Sequence, residues 1–106
     1  MAPTSASEVP KWVDDLVEGH QVTVFSKSYC PHCKAAISAL SRLNISDMHV
    51  EQIEDNPFCD AIQDYLKTKT GARSVPRVFL NGKFFGGGDD TVEGIKNGTV
   101  ERILRV

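Results

Sequence analysis

The apolar positions near the start of the chain keep a helical period. Val9, Trp12, Val13, Leu16 and Val17 fall at i, i+3, i+4, i+7 and i+8, one face of a helix that Gly19 stops. Trp12, the only tryptophan, reads as a packing anchor on that face. Gln21–Ser26 then alternates and is rich in β-branched residues, which predicts a strand. Pro31–Leu43 returns to the longer period, with Ala36, Ile37, Leu40 and Leu43 on the buried side, and a short strand is expected near Met48–Ile53. Asn56-Pro57 supplies an N-cap and a first-turn proline for a third helix that runs to about Lys69, before Gly71. Cys59, Ile62 and Leu66 share one face of it. Arg77–Leu80 reads as a strand, joined by the hairpin signal Asn81-Gly82 to Lys83–Phe85. Val92 and Ile95 mark a further helical stretch ended by Gly98, and Thr99–Val106 a last short helix with Val100, Ile103 and Leu104 inward. The order is helix, strand, helix, strand, helix, hairpin, helix. A strand–helix–strand unit plus a hairpin gives an α/β fold: one four-stranded mixed sheet flanked by about five helices.

Composition narrows the class without naming a chemistry. The 106 residues make a single domain, 1–106, with residues 1–7 expected as a flexible tail. At 41% apolar and 25% charged the balance is that of an ordinary globular domain. No apolar run approaches the roughly 20 residues of a membrane span, so no membrane partner is expected. Met1–Val9 lacks the basic start and apolar centre of a secretory signal. Three cysteines leave one over in any disulfide scheme, which favours a reducing, cytoplasmic setting over a secreted disulfide framework.

The charge is uneven. Gly19 to Ser46 contains no Asp or Glu but holds Lys27, Lys34 and Arg42, with His20 and His32. Asp47 to Asp64 reverses this, with six acids and no Lys or Arg. A cationic setting suits a reactive cysteine or an anionic substrate. No clustered basic patch with interleaved aromatics appears, so nucleic acid is not an expected partner.

Candidate chemistry centres on Lys27-Ser28-Tyr29-Cys30-Pro31-His32-Cys33-Lys34. A strand ending at Cys-x-x-Cys, with a helix starting there, places the first sulfur beside N–H groups that lack intrahelical partners. The macrodipole is positive at that end and favours thiolate over thiol. Thiolate is the reactive form, and such motifs bring cysteine pKa values down to roughly 3.5–7. Pro31 suits the first helical position, where its missing N–H costs nothing. His32 and Lys34 add positive charge near the sulfur. A structural zinc site would need a second pair of ligands at matching spacing, which the chain does not offer. Cys59 reads first as a small, half-buried hydrophobe, and second as a regulatory thiol. Gly86-Gly87-Gly88 lets a backbone or ligand approach closely, and Asp89-Asp90 follows it at a helix start.

Lys27-Ser28-x-Cys30-Pro31-x-Cys33, Ser74-Val75-Pro76 and Gly86-Gly87-x-Asp89-Asp90 resemble, in order and spacing, the three signatures of the dithiol glutaredoxins. The resemblance covers roughly Val9 to Leu104. It implies a thioredoxin-like fold with Pro76 in the cis form facing the dithiol. It further implies glutathione as co-substrate, no metal requirement, and reduction of protein disulfides and protein–glutathione mixed disulfides by a monomer. Carried over, Cys30 attacks and Cys33 resolves, with Lys27, Pro31 and His32 tuning the thiolate. Lys27 and Gln63 would bind the glycine carboxylate of glutathione, and Val75 its cysteinyl backbone. Asp89 and Asp90 would hold the γ-glutamyl group, with Tyr29, Pro76 and Gly88 completing the site. Two positions depart from the family pattern: His32 stands where tyrosine is commonest, and Ser74 where threonine is. A proline–histidine pair between the cysteines is typical of bacterial periplasmic disulfide oxidases, so the imidazole is expected to stabilise the Cys30 thiolate and raise the reduction potential. The other reading has His32 pointing to solvent as a substrate contact. The alternatives are a thioredoxin-like reductase independent of glutathione, a purely structural adaptor of the same fold, and a glutathione-ligated [2Fe–2S] carrier. Pro31 stiffens the loop that cluster-binding members usually leave without proline.

Overall fold

The computed structural model describes residues 2–106, and Met1 lies outside them. A 3-10 turn, Ala6–Glu8, leads into helix α1, Val9–Gly19. The Glu8 carboxylate accepts hydrogen bonds from the Thr4 N–H and hydroxyl, so part of the stretch expected as a tail carries local structure. There follow β1 (Val22–Ser26), α2 (Pro31–Ser41), β2 (Met48–Gln52), α3 (Cys59–Thr70), β3 (Arg77–Leu80), β4 (Lys83–Gly86), α4 (Gly88–Lys96) and α5 (Thr99–Leu104). The four strands form one mixed sheet in the order β2-β1-β3-β4, with β1 parallel to β2 and antiparallel to β3.

All five residues of β1 are buried. An inner strand covered by helices on both faces needs apolar groups on both sides, which explains why the expected alternation is muted. Phe25 joins Val9, Val13 and Val17 of α1 and Ile62 and Leu66 of α3 in one core layer, with Phe79 edge-on to it at 5.8 Å. Val22 and Val24 face the other layer, with Leu40, Val100 and Leu104. Thr23 and Ser26 are the buried polar residues of the strand; the Thr23 hydroxyl donates to the Leu16 carbonyl at 3.0 Å and the Ser26 hydroxyl to the Lys27 carbonyl at 3.4 Å. Burying either layer on the central strand fixes where β1 ends, and so where the dithiol turn begins.

Element existence matches the pattern in the sequence, and boundaries and faces differ in places. Helix α2 ends at Ser41, before the expected Leu43. Asn56 does not cap α3 itself. Its side chain accepts the Phe58 N–H at 2.8 Å and its carbonyl the Cys59 N–H at 3.0 Å, a turn that delays the helix to Cys59. Ile103 is 39% exposed rather than inward, because α5 is a short helix that turns only Val100 and Leu104 to the sheet. Asn81 and Gly82 have φ of 53° and 80°, the paired positive values of a type I′ hairpin turn.

Candidate active site

Strand β1 delivers the chain to a tight turn, in which the Cys30 N–H donates to the Lys27 carbonyl at 3.0 Å. Cys30 has extended backbone, φ −85° and ψ 118°, and is the N-cap of α2, with Pro31 as first helical residue. Its sulfur accepts the Cys33 N–H at 3.3 Å, the hydrogen bond an N-cap oxygen makes elsewhere. Cys33, one turn into the helix, is fully buried. The two thiols separate in consequence. At Cys30 burial alone would raise the pKa, but hydrogen bonds from the Cys33 thiol and from the Cys33 and His32 N–H groups, with the Lys27 charge, lower it below the usual thiol value. At Cys33 burial, followed by the bond it gives to Cys30, holds the pKa above that value. The surroundings thus favour the thiolate at Cys30 and the thiol at Cys33.

Lys27 sits in a turn fastened from outside. The Glu54 carboxylate, beyond β2, accepts the Ser28 N–H at 3.2 Å and the Ser28 hydroxyl. Ser28 first, with Lys27 among the smaller causes, keeps Glu54 below the usual carboxylate range. Tyr29 projects outward, 65% exposed, beside the dithiol.

The Val75-Pro76 peptide is cis, as the resemblance implied. When protonated, the Cys30 thiol is placed to donate to the Val75 carbonyl at 3.9 Å, so this peptide faces the dithiol. Pro76 meets the glycine turn as well: a side chain at Gly88 would stand 3.4 Å from Pro76 Cγ and 3.1 Å from His32 Cβ. Gly86 has a similar reason, since a Cβ there would lie 2.5 Å from that of Asp90. Gly88 therefore lets the start of α4 close against the first turn of α2, and Gly86 lets β4 run directly under Asp90 of α4. Asp90 uses its carboxylate to accept the Gly87 N–H at 3.2 Å, whereas Asp89 is left almost wholly exposed.

Two of the expected site residues make other contacts in this geometry. The His32 ring is 73% exposed and its Nδ1 lies 3.9 Å from the Asp89 carboxylate, so it is the main-chain N–H of His32 that acts on Cys30. Gln63 is buried, and its amide donates to the Arg73 carbonyl at 2.9 Å while accepting from the Cys59 thiol at 3.5 Å. It braces the loop before the cis-proline. Among the described residues no three His, Cys, Asp or Glu side chains are arranged to hold a metal ion. A cavity of about 600 Å³ along α1, lined by Pro3, Trp12 and Leu16 among others, shares none of these site residues.

A family model described as Glutaredoxin matches residues 22–85, and Glutaredoxin-C8 of Oryza sativa is 35% identical over 99% of this chain and 78% of its own length. The chain belongs to the glutaredoxin family. Oxidized glutaredoxin 2 from Chlamydomonas reinhardtii superposes with a TM-score of 0.90 at 44% identity, covering 96% of this chain and 95% of that one. A buckwheat glutaredoxin–glutathione complex superposes at 0.87 with 30% identity, covering 97% and 94%. Thiol oxidoreduction is thus the general reaction of this glutaredoxin. The motifs led to the thiols and both loops but missed three charged residues. Glu54 lies in an acidic run with nothing to single it out. Arg73 and Arg77 flank Ser74-Val75-Pro76, and that placement beside a proline turn was the available signal.

Proposed function

We propose that this glutaredoxin uses glutathione to reduce protein–glutathione mixed disulfides and protein disulfides. The observation that carries it is the N-cap sulfur of Cys30, which accepts the Cys33 N–H beside the cis Val75-Pro76 peptide and has its pKa lowered there, while burial raises that of Cys33. In the first step the Cys30 thiolate attacks the glutathionyl sulfur, and the S–S bond to the protein breaks. The substrate thiolate leaves and takes a proton. Glutathione, as thiolate, then attacks the Cys30–glutathione disulfide, releasing glutathione disulfide and restoring Cys30. The two-electron balance is one mixed disulfide plus one glutathione giving one protein thiol plus glutathione disulfide. For a protein disulfide, the Cys30 thiolate attacks one sulfur and frees the first substrate thiol. Cys33, losing its proton, attacks the resulting mixed disulfide and frees the second. The Cys30–Cys33 disulfide left on the enzyme is reduced by two glutathione molecules, which leave as glutathione disulfide.

The glutathione complex of the buckwheat relative supports this choice of thiol. Lys27 would take the glycine carboxylate, Val75 the cysteinyl backbone, and the start of α4 at Gly88–Asp90 the γ-glutamyl group. A helix N-terminus suits the carboxylate of that group, and an aspartate its ammonium. Gln63 would act through the Arg73 loop it holds. Monomeric action in the cytoplasm fits the three free thiols. The test is turnover of a small glutathione mixed disulfide with glutathione, glutathione reductase and NADPH. Steady NADPH oxidation dependent on Cys30 is expected, and turnover only with a glutathione-independent reductase would refute it.

A further inference from the structure

Arg77 is a charged side chain that the dithiol chemistry leaves unused. It is the first residue of β3, directly after cis-Pro76, and its guanidinium is partly buried. A group that never loses its charge must find acceptors there. Its Nε donates to the Pro76 carbonyl at 3.3 Å and its Nη1 to the Thr70 hydroxyl at 3.4 Å. Thr70 closes the last turn of α3 on the Leu66 carbonyl at 2.7 Å, so this side of the fork ties the end of α3 to the cis-proline peptide. The other side faces the glycine turn. Nη2 lies 3.1 Å from where a Cβ on Gly87 would stand, and the Asp90 carboxylate, which accepts the Gly87 N–H, is near enough to act on the guanidinium charge. The Phe84 ring lies against the guanidinium, 5.0 Å from its central carbon to the ring centre.

We propose that Arg77 is a positioning residue for the reaction, its guanidinium bonded to the loop 70–76 and packed against the turn 86–90, so that the two stand at the separation that receives the glutathionyl group. This rests on the glutathione reading above. Arginine suits the task because its planar fork can bond in two directions and stack at once, which an ammonium cannot. The side-chain cation that acts on the Cys30 sulfur is Lys27. Arg77 should therefore govern recognition of the glutathionyl group and leave the nucleophile alone.

The test uses the full chain with a glutathionylated peptide, comparing wild type, Arg77→Gln, Arg77→Lys and Gly87→Ala. Loss of this charge-assisted joint should raise KM for the peptide about tenfold in Arg77→Gln. Arg77→Lys should recover only part of it, with kcat and the pH midpoint of Cys30 alkylation by iodoacetamide unchanged. Gly87→Ala probes the same joint from the opposite side. Its methyl would stand 3.1 Å from Nη2, pushing the guanidinium by a few tenths of an ångström, and should raise KM by a smaller factor even if Arg77→Gln fails to fold. An unchanged KM in Gly87→Ala or in a folded Arg77→Gln overturns the inference. So does a fall in kcat with a shifted Cys30 midpoint, or an Arg77→Lys variant equal to wild type. A wild type that shows no preference for the glutathionyl group overturns the glutathione reading and this inference together.

Discussion

Helices α2 and α3 each have a cysteine at the N-terminal end, and the two sulfurs are used in opposite ways. Cys30 stands just outside α2 with extended backbone, and its sulfur accepts the N–H of Cys33. Cys59 is already the first helical residue of α3, behind Phe58 at φ −105° and ψ 27°, and its thiol donates to the Gln63 amide oxygen. A helix N-terminus activates a sulfur only when that sulfur occupies the capping position, where its lone pairs meet unpaired N–H groups. One residue further in, the side chain leans along the helix and becomes a donor within the core layer. The strand–turn–proline sequence at α2 sets the first arrangement, whereas the Asn56 turn before α3 sets the second.

Exchanging each cysteine for serine gives the widest contrast. Cys30→Ser should bring every glutathione-dependent activity to background, while Cys59→Ser should leave turnover near wild type with a modest loss of Tm. Both are read from the coupled NADPH assay and thermal melting. A Cys59 variant that loses turnover would place its thiol in the reaction. Next in size, Cys33→Ser should keep most deglutathionylation, because glutathione resolves the intermediate, and lose most reduction of a protein disulfide. Parallel assays with the two substrate types check this.

Lys27→Ala should weaken recognition of the glutathionyl group roughly 10- to 150-fold, the worth of one charge-assisted hydrogen bond of about 1.5–3 kcal/mol. KM for a glutathionylated peptide measures it, and a change under twofold would leave Lys27 a solvated charge. The two thiols also predict a pH dependence. Cys30 is lowered in the folded state, so its contribution to stability is present above the unfolded thiol value, about 8.5, and fades as pH falls through the folded value. Cys33 is raised, so its contribution is present below about 8.5 and is lost as pH rises through its folded value. Alkylation should accordingly modify Cys30 with a midpoint below that of an ordinary thiol, and Cys33 only at more alkaline pH. The smallest effect belongs to His32→Tyr. With the ring outward near Asp89 and the main chain acting on the sulfur, the potential should move by less than about 15 mV, half a pKa unit for a two-electron couple. A redox titration against glutathione buffer showing a drop of about 30 mV or more would return that role to the imidazole.

The sequence carried the dithiol plainly because its chemistry is local: a strand, two cysteines and a proline lie within a few residues. The glycine run was legible for the same reason, and the close approach at Gly86 and Gly88 explains it. What the sequence hid is the direction of side chains that answer to distant elements. Gln63 turns to Arg73 and Glu54 turns to Ser28, contacts made across loops whose spacing carries no period. His32 looked like a neighbour of Cys30 by number alone, yet side chains on the first helical turn diverge, and its ring faces α4 instead. Ile103 likewise kept the period while its short helix had too little sheet beneath it.

The assignment of Cys30 as the attacking thiolate can be read from one trapped intermediate. Cys33→Ser, mixed with one equivalent of a glutathionylated peptide without free glutathione, should accumulate a single protein–glutathione disulfide, and peptide mass spectrometry should place it on Cys30. Glutathione found on Cys59, or a peptide left fully glutathionylated, would contradict it.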